Sequence, residues 1–176
     1  EEHFLGQIWL MQLRSQVMEA KPDAQPELVL SGLRLQRRAG MLIAHRDMGE
    51  MEPPVTSIEI CWQGERTIDV PGWQGCLQFD HDAEGGLDPD LLRRGPLQLR
   101  PRAGSERLKL DLQRPSRTLK NLFQESGICA QARPWLPLLY VGGNLAFAAG
   151  LGSDARFSRA GSGIRLHWLS ALHHVK

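Results

Sequence analysis

Cysteine is scarce in this 176-residue chain, and the three present (Cys61, Cys76, Cys129) lie far apart. An odd number without a CxxC pair argues against a zinc site and suits a reducing compartment. Long apolar runs are missing too: no stretch approaches the roughly 20 residues that a membrane-spanning helix needs. The chain opens on Glu1, Glu2 and His3, not on the basic segment of a secretory leader. No glycine-rich nucleotide loop is present, neither GxxxxGK followed by Ser or Thr nor SGGxDS, so nothing is built to cradle ATP phosphates. Gly161-Ser162-Gly163 is too short for a dinucleotide fingerprint and precedes a strand. His167, His173 and His174 have no Cys or carboxylate at ligand spacing and read as surface histidines. The acidic stretch His81–Asp90 reads as a loop, but lacks the alternating acceptors and terminal Glu of a calcium-binding EF-hand. With no Ser, His and Asp set legible either, a free-standing small enzyme is disfavoured.

Charge of one sign is locally scarce, and that is the most informative feature present. The formal net charge is only +1. Yet Asp47–Asp90 holds eleven acidic residues and a single basic one, Arg66, while Leu91 to the end holds fourteen Lys and Arg against four acids (Glu106, Asp111, Glu125, Asp154). The two segments carry −10 and +10. Such asymmetry suggests a half that binds a polyanion. The alternative is that the two halves pack together and neutralise each other.

The basic half contains a short amphipathic helix. Leu119, Leu122 and Phe123 share one face at i, i+3, i+4 spacing. Arg117, Lys120 and Gln124 fall on the opposite side at about 100° per residue. Ser116 is the expected N-cap and Gly127 the expected C-terminal stop. Upstream, Leu97–Arg102 reads as a strand ending in a basic cluster of Arg93, Arg94, Arg100, Arg102, Arg107 and Lys109. Downstream, Leu138–Val141 and Leu145–Leu151 are apolar strands around Gly142-Gly143-Asn144, a strong hairpin signal. Arg156 and Arg159 sit in a polar loop, and Ile164, Leu166 and Trp168 alternate in a last strand.

Nearer the start, His3–Ala20 reads as an apolar helix, with Phe4, Ile8 and Met11 on one side and Leu5, Leu10, Leu13 and Val17 widening the stripe. A helix this apolar needs a partner, so the chain is expected to begin inside a larger protein. Lys21–Pro26 is a connection. Leu33–Arg37 and Met41–His45 form a hairpin through Ala39-Gly40, flanked by Arg37 and Arg38. Asp47–Val55, with Pro53 and Pro54, is the expected linker. Short β segments follow: Ile58–Trp62, Arg66–Val70 and Cys76–Phe79. Asp88–Leu92 suggests one helical turn. The fold class is α+β: a helix-plus-hairpin element over residues 1–50, a linker at 51–56, and over 57–176 a mixed β-sheet or sandwich domain with one main helix.

Three segments taken in order, RPRAGSER at Arg100–Arg107, RTLKNLFQESGI at Arg117–Ile128 and PLLYVGGNLAFAAGL at Pro137–Leu151, resemble the C-terminal domain of bacterial tRNA(Ile)-lysidine synthetases. Leu30–Ala44 resembles the hairpin that closes the family's middle, substrate-recognition domain. The chain departs from the family at Cys129–Arg133, where a Pro-Pro-Trp-x-Arg-Asp run is usual, at Thr118 in place of a lysine, and at Ser105-Glu106 in place of Gly-Asp.

The resemblance implies a fold also similar to a domain of phenylalanyl-tRNA synthetase β chains. It implies a cytoplasmic enzyme that uses ATP, with Mg, to join lysine to C2 of the wobble cytidine of a CAU-anticodon tRNA-Ile, changing decoding from AUG to AUA. That chemistry belongs to an N-terminal domain, so residues 1–176 are expected to be inactive alone, without cofactor or metal, and to hold the tRNA acceptor stem. An acceptor stem is read through phosphates and 2′-hydroxyls, which suits arginine forks. The expected contacts are Arg100, Arg102, Arg107, Arg114, Arg117, Lys120 and Arg133, acting on the backbone and not on bases. The rival is a protein-interaction module with acidic and basic halves. Homodimerisation is left open.

Overall fold

The computed structural model describes residues 11, 13–19, 21, 26–30, 33–38, 41–46 and 52–170. They fall into two compact units, one before Glu52 and one from Glu52 onward.

In the first unit, β1 (Glu27–Leu30), β2 (Leu33–Arg38) and β3 (Met41–Arg46) form an antiparallel meander. The β2–β3 hairpin has the expected position, Arg38 facing Met41 across residues 39–40, which lie outside the described set. Strand β1 extends the predicted hairpin by one strand, with Leu28 opposite Leu35. Of the helix expected over His3–Ala20, the described part is a π-helical turn, Leu13–Met18. Val17 is buried there, whereas Met11, expected on the same stripe, is exposed. The rest of that helix lies outside the described residues, as do positions 47–51 of the expected linker and His173 and His174.

The second unit is built mainly from two five-stranded sheets. β4 (Ile58–Ile60), β8 (Leu97–Arg100), β11 (Leu138–Val141), β12 (Asn144–Ala148) and β13 (Gly152–Ser153) make one, in the order β13-β12-β11-β8-β4. β5 (Thr67–Val70), β6 (Gly75–Asp82), β7 (Gly85–Leu87), β14 (Ser158–Ala160) and β15 (Gly163–Ser170) make the other, in the order β14-β7-β15-β6-β5. β9 (Arg107–Leu108) and β10 (Arg117–Thr118) form a small separate ladder. Every ladder among the described residues is antiparallel, where a mixed sheet was expected.

Burial patterns show how the sheets are covered. In β15, Ile164 and Leu166 are buried while Arg165 and His167 face water. That alternation marks a sheet with one wet face. In β11 and β12, Leu138, Leu139 and Leu145–Ala148 are buried without alternation, so this part of the sheet is covered on both faces. Its strands share one core with Leu77, Phe79 and Leu87 of the other sheet and with Leu119, Leu122 and Phe123. Trp62 stacks on Phe79 at 5.3 Å within that core.

Two helices complete the unit: α1 (Pro89–Arg93) and α2 (Leu119–Glu125). α1 is the single turn expected at Asp88–Leu92. The Asp88 carboxylate accepts the Asp90 N–H at 3.0 Å and Pro89 fills the first turn, where its missing N–H costs nothing. α2 buries Leu119, Leu122 and Phe123 as the spacing predicts, worth roughly 1.5–3 kcal/mol each. Its start is different. Ser116 is not the cap: the chain stays extended through Thr118 because Arg117 and Thr118 pair with Leu108 and Arg107, and the Leu119 N–H donates to the Glu106 carbonyl at 3.0 Å. The cap is Thr118, whose hydroxyl faces the Asn121 N–H at 3.4 Å. Its end is as expected. Gly127 takes φ +70°, and the Ile128 N–H reaches back to the Phe123 carbonyl at 3.0 Å, the bonding of a glycine-terminated helix.

Two loops expected from composition are partly strands. His81–Asp90 is no open loop: β6 runs to Asp82, Glu84 N–H closes a turn on the Asp82 carboxylate at 2.9 Å, and β7 returns along β15. Arg156 and Arg159 lie in a 3-10 turn, Ala155–Phe157, and in β14, which pairs with β7. The strand expected to run to Leu151 stops at Ala148, where Gly150 at φ +78° turns the chain back as β13.

Candidate nucleic-acid interface

The acidic and basic segments do touch, but through residues other than the expected contacts. β6 and β7 from the acidic segment pair with β15 and β14 from the basic one. Across these ladders Arg159 faces Asp88 at 3.8 Å and Asp90 at 3.4 Å, and Arg165 pairs with Asp82. Arg66 lies 3.7 Å from Asp80 within the acidic segment itself. None of the seven expected contacts pairs with a described acid of residues 52–90.

Those seven residues sit on consecutive elements. Arg100 ends β8. Its guanidinium lies over the Tyr140 ring at 4.4 Å and donates to the Gln98 amide oxygen, which belongs to a side chain that in turn donates to Glu59 at 2.9 Å. Burial pushes the Tyr140 phenol above its usual range, Glu106 adds to that and Arg100 opposes it, so the ring stays neutral under the guanidinium. Arg102 follows, with its side chain mostly covered and Glu106 at 3.9 Å. The Glu106 carboxylate instead bonds the Ala103 and Gly104 N–H groups, fixing the turn that carries Arg102.

The β9–β10 ladder brings Arg107 and Arg117 onto neighbouring strands. Arg107 donates to the Ser116 hydroxyl at 3.3 Å and to the Ser116 carbonyl. Arg114, on the loop between the strands, is exposed and 3.5 Å from Asp111. Arg117 does not lie on the helix face, because the helix begins after it. It makes a two-pronged ion pair with Glu125 at the helix end. The bond to Arg117 lowers the Glu125 pKa and raises that of Arg117 in turn. Lys120 and Gln124 are exposed on α2 as predicted, and Lys120 has no ion-pair partner among the described residues. Arg133 is half-buried, with two N–H groups on the Ile128 carbonyl at 3.1 and 2.9 Å and Phe123 beneath it at 5.8 Å. Arg102 and Arg133, distant in sequence, line one cavity.

Local acids thus hold two of the seven cations in exposed pairs, Arg114 and Arg117, and Glu106 lies 3.9 Å from the mostly covered Arg102, while Arg100, Arg107, Lys120 and Arg133 have no carboxylate partner among the described residues. Exposed pairs of this kind are weak in water and exchange readily for a phosphate. No group of three or more His, Cys, Asp or Glu among the described residues could hold a metal ion. No helix among them is long and apolar enough to cross a membrane.

Sequence reasoning missed two features. Arg93 lies over the Trp62 ring at 4.8 Å. Asp154 is fully buried and accepts the Lys109 N–H at 2.9 Å, the Arg156 N–H at 3.0 Å and two guanidinium N–H groups of Arg156 at 2.9 Å each. Burial alone would raise its pKa, but the Arg156 and Lys109 donors outweigh it and the carboxyl titrates below its ordinary range. Asp154 thereby ties β9, which carries Arg107, to the turn after β13. Its signal was there to see: it is one of only four acids in the basic half.

Residues 97–168 match the family model described as the TilS substrate C-terminal domain. A tRNA(Ile)-lysidine synthase of Ralstonia nicotianae is 37% identical over 169 residues, covering 93% of this chain and 36% of that protein. One of Nitrosomonas europaea is 30% identical over 161 residues, covering 90% of this chain and 34% of that protein. A solved structure, described as the crystal structure of a TilS C-terminal domain, aligns with a TM-score of 0.50 at 16% identity, over 65% of this chain and 98% of that one. The last likeness concerns the fold alone. The chain spans about a third of the length of these curated relatives.

Proposed function

We propose, for a chain that belongs to the tRNA(Ile)-lysidine synthase family through its TilS substrate C-terminal domain, that its second unit grips the tRNA which such an enzyme modifies. The reaction we assign to the whole protein is ATP-dependent joining of lysine to the wobble cytidine of a CAU-anticodon tRNA-Ile. The partner of this chain is then the acceptor stem. Residues 1–50 would belong to the middle domain, 51–56 to a linker and 57–176 to the tRNA-binding domain, in a cytoplasmic enzyme whose ATP, Mg and lysine are handled elsewhere in the protein.

One observation supports this reading above the rest. Asp80 and Asp82 of β6 and Asp88 and Asp90 at the start of α1 are met by Arg66, Arg159 and Arg165, while the cations of β8, the β9–β10 ladder, α2 and Arg133 pair with no acid of that segment among the described residues. Mutual neutralisation of the two halves therefore does not account for the second set. Arginines and a lysine on a rigid β-ladder and a helix suit the phosphates of an A-form duplex, which needs positioning contacts and no base reading.

The test is a double change of Arg117 and Lys120 to Ala. Both side chains are exposed, so tRNA affinity should fall while the far-UV signal is kept. Unchanged affinity in a folded double variant would remove these residues from the interface.

A further inference from the structure

Arg102 poses a question that the general reading leaves unanswered. Its Nε is buried and has no hydrogen-bond partner among the described residues, although a buried donor is nearly always satisfied. Glu106 does not answer it: the carboxylate is 3.9 Å away and its oxygens are turned to the Ala103 and Gly104 N–H groups. Arg102 also lines a cavity of about 230 Å³, together with Ala103, Gly104, Ala130, Arg133 and Pro134. Arg133 on the same cavity is held by two bonds to the Ile128 carbonyl and by the Phe123 ring. The remaining lining is small. Gly104, at φ +107°, has open space where a Cβ would stand.

The geometry points to a seat for one phosphoryl group between Arg102 and Arg133. Two arginines, each with guanidinium N–H groups beyond those already bonded, line one cavity that no carboxylate lines. A tetrahedral anion accepts from both at once, which neither hydroxyls nor amides can do with the same strength. The seat deepens the tRNA reading and rests on it for its occupant, a backbone phosphate. Within that interface it is a part-enclosed contact. Lys120 and Arg114 are exposed by comparison, so this phosphate would set the register of the duplex on the domain.

The experiment uses the full chain, labelled so that the arginine Nε–Hε resonances are seen by NMR. Inorganic phosphate is added at constant ionic strength held with chloride. The Arg102 and Arg133 signals should move together and saturate. In Ala130→Glu, which puts a carboxylate at the exposed rim of the cavity, the response should vanish while the backbone spectrum elsewhere is unchanged. Signals that drift without saturating, or a response kept in that variant, would overturn the seat. A short RNA duplex without terminal phosphates separates the sources. It should shift the same two signals, and Ala130→Glu should lower the salt slope of RNA binding by about one. RNA that shifts other arginines but not these two would overturn the seat as part of the interface and leave the tRNA reading standing. RNA that shifts none, with inorganic phosphate still bound, would overturn the tRNA reading and keep the seat as a small-anion site.

Discussion

Replacing Asp154 with Ala should be strongly destabilising, although Asp154 is one of only four acids in the basic half. The side chain is fully buried and accepts four hydrogen bonds, two from backbone N–H groups of Lys109 and Arg156 and two from the Arg156 guanidinium. The guanidinium is about half exposed, at 55%, and can turn to water, so its loss counts for little. The two backbone donors cannot move as freely. Leaving each unsatisfied costs about 1–3 kcal/mol, so the total is about 2–6 kcal/mol. Against a domain stability of roughly 5–15 kcal/mol that is a large fraction. In urea denaturation, with a slope near 2 kcal/mol/M, the midpoint should fall by roughly 2 M at unchanged slope.

The pH dependence has a definite sign. The folded pKa of Asp154 is depressed, so its contribution is present above the ordinary carboxylate range and is lost as pH falls through the folded value. Asp154→Asn should therefore unfold along a flatter pH curve than the parent on the acid side. A loss under about 1 kcal/mol for the Ala variant, or an equally steep acid limb for the Asn variant, would refute the reasoning.

Three further outcomes are expected. Glu125→Gln frees Arg117 from its exposed ion pair and should tighten tRNA binding in filter-binding assays, with little change in the melting curve; weaker binding would mean that the pair orders the site. Gly86→Ala should destabilise the unit by about 1–3 kcal/mol in thermal melts, because Gly86 sits at φ +137° and a Cβ there would lie 2.6 Å from the Ile164 carbonyl oxygen. Incubating the chain with ATP, lysine and tRNA should yield no lysidine, and product detected by mass spectrometry would contradict the assignment of catalysis to another part of the protein.

How much was legible depended on whether local chemistry or long-range pairing decided the outcome. The buried face of α2 and its glycine stop are local, and both followed from spacing alone. So did the β11–β12 hairpin, since Gly142 and Gly143 take the positive φ its turn requires. The helix start was misplaced because Ser116 and Thr118 are both good caps. What chose between them is the β9–β10 ladder, joining residues about ten positions apart. The acidic stretch looked like a loop because its charges hide a strand that is satisfied by Arg159 and Arg165 more than 70 residues later. The site shows the same division. Sequence could gather the cations but not say which of them a neighbouring acid restrains. Nor could it bring Arg102 and Arg133 to one cavity across the whole of α2.

The central claim is that this basic face holds RNA through its phosphates, and salt dependence tests it most directly. Four of the seven contacts, Arg100, Arg107, Lys120 and Arg133, have no carboxylate partner among the described residues. If each displaces one counterion, the logarithm of the tRNA association constant should fall against the logarithm of salt concentration with a slope of about −4, or steeper as Arg114 and Arg117 exchange their acids for phosphates. A slope near zero, or no measurable binding even at low salt, would contradict it.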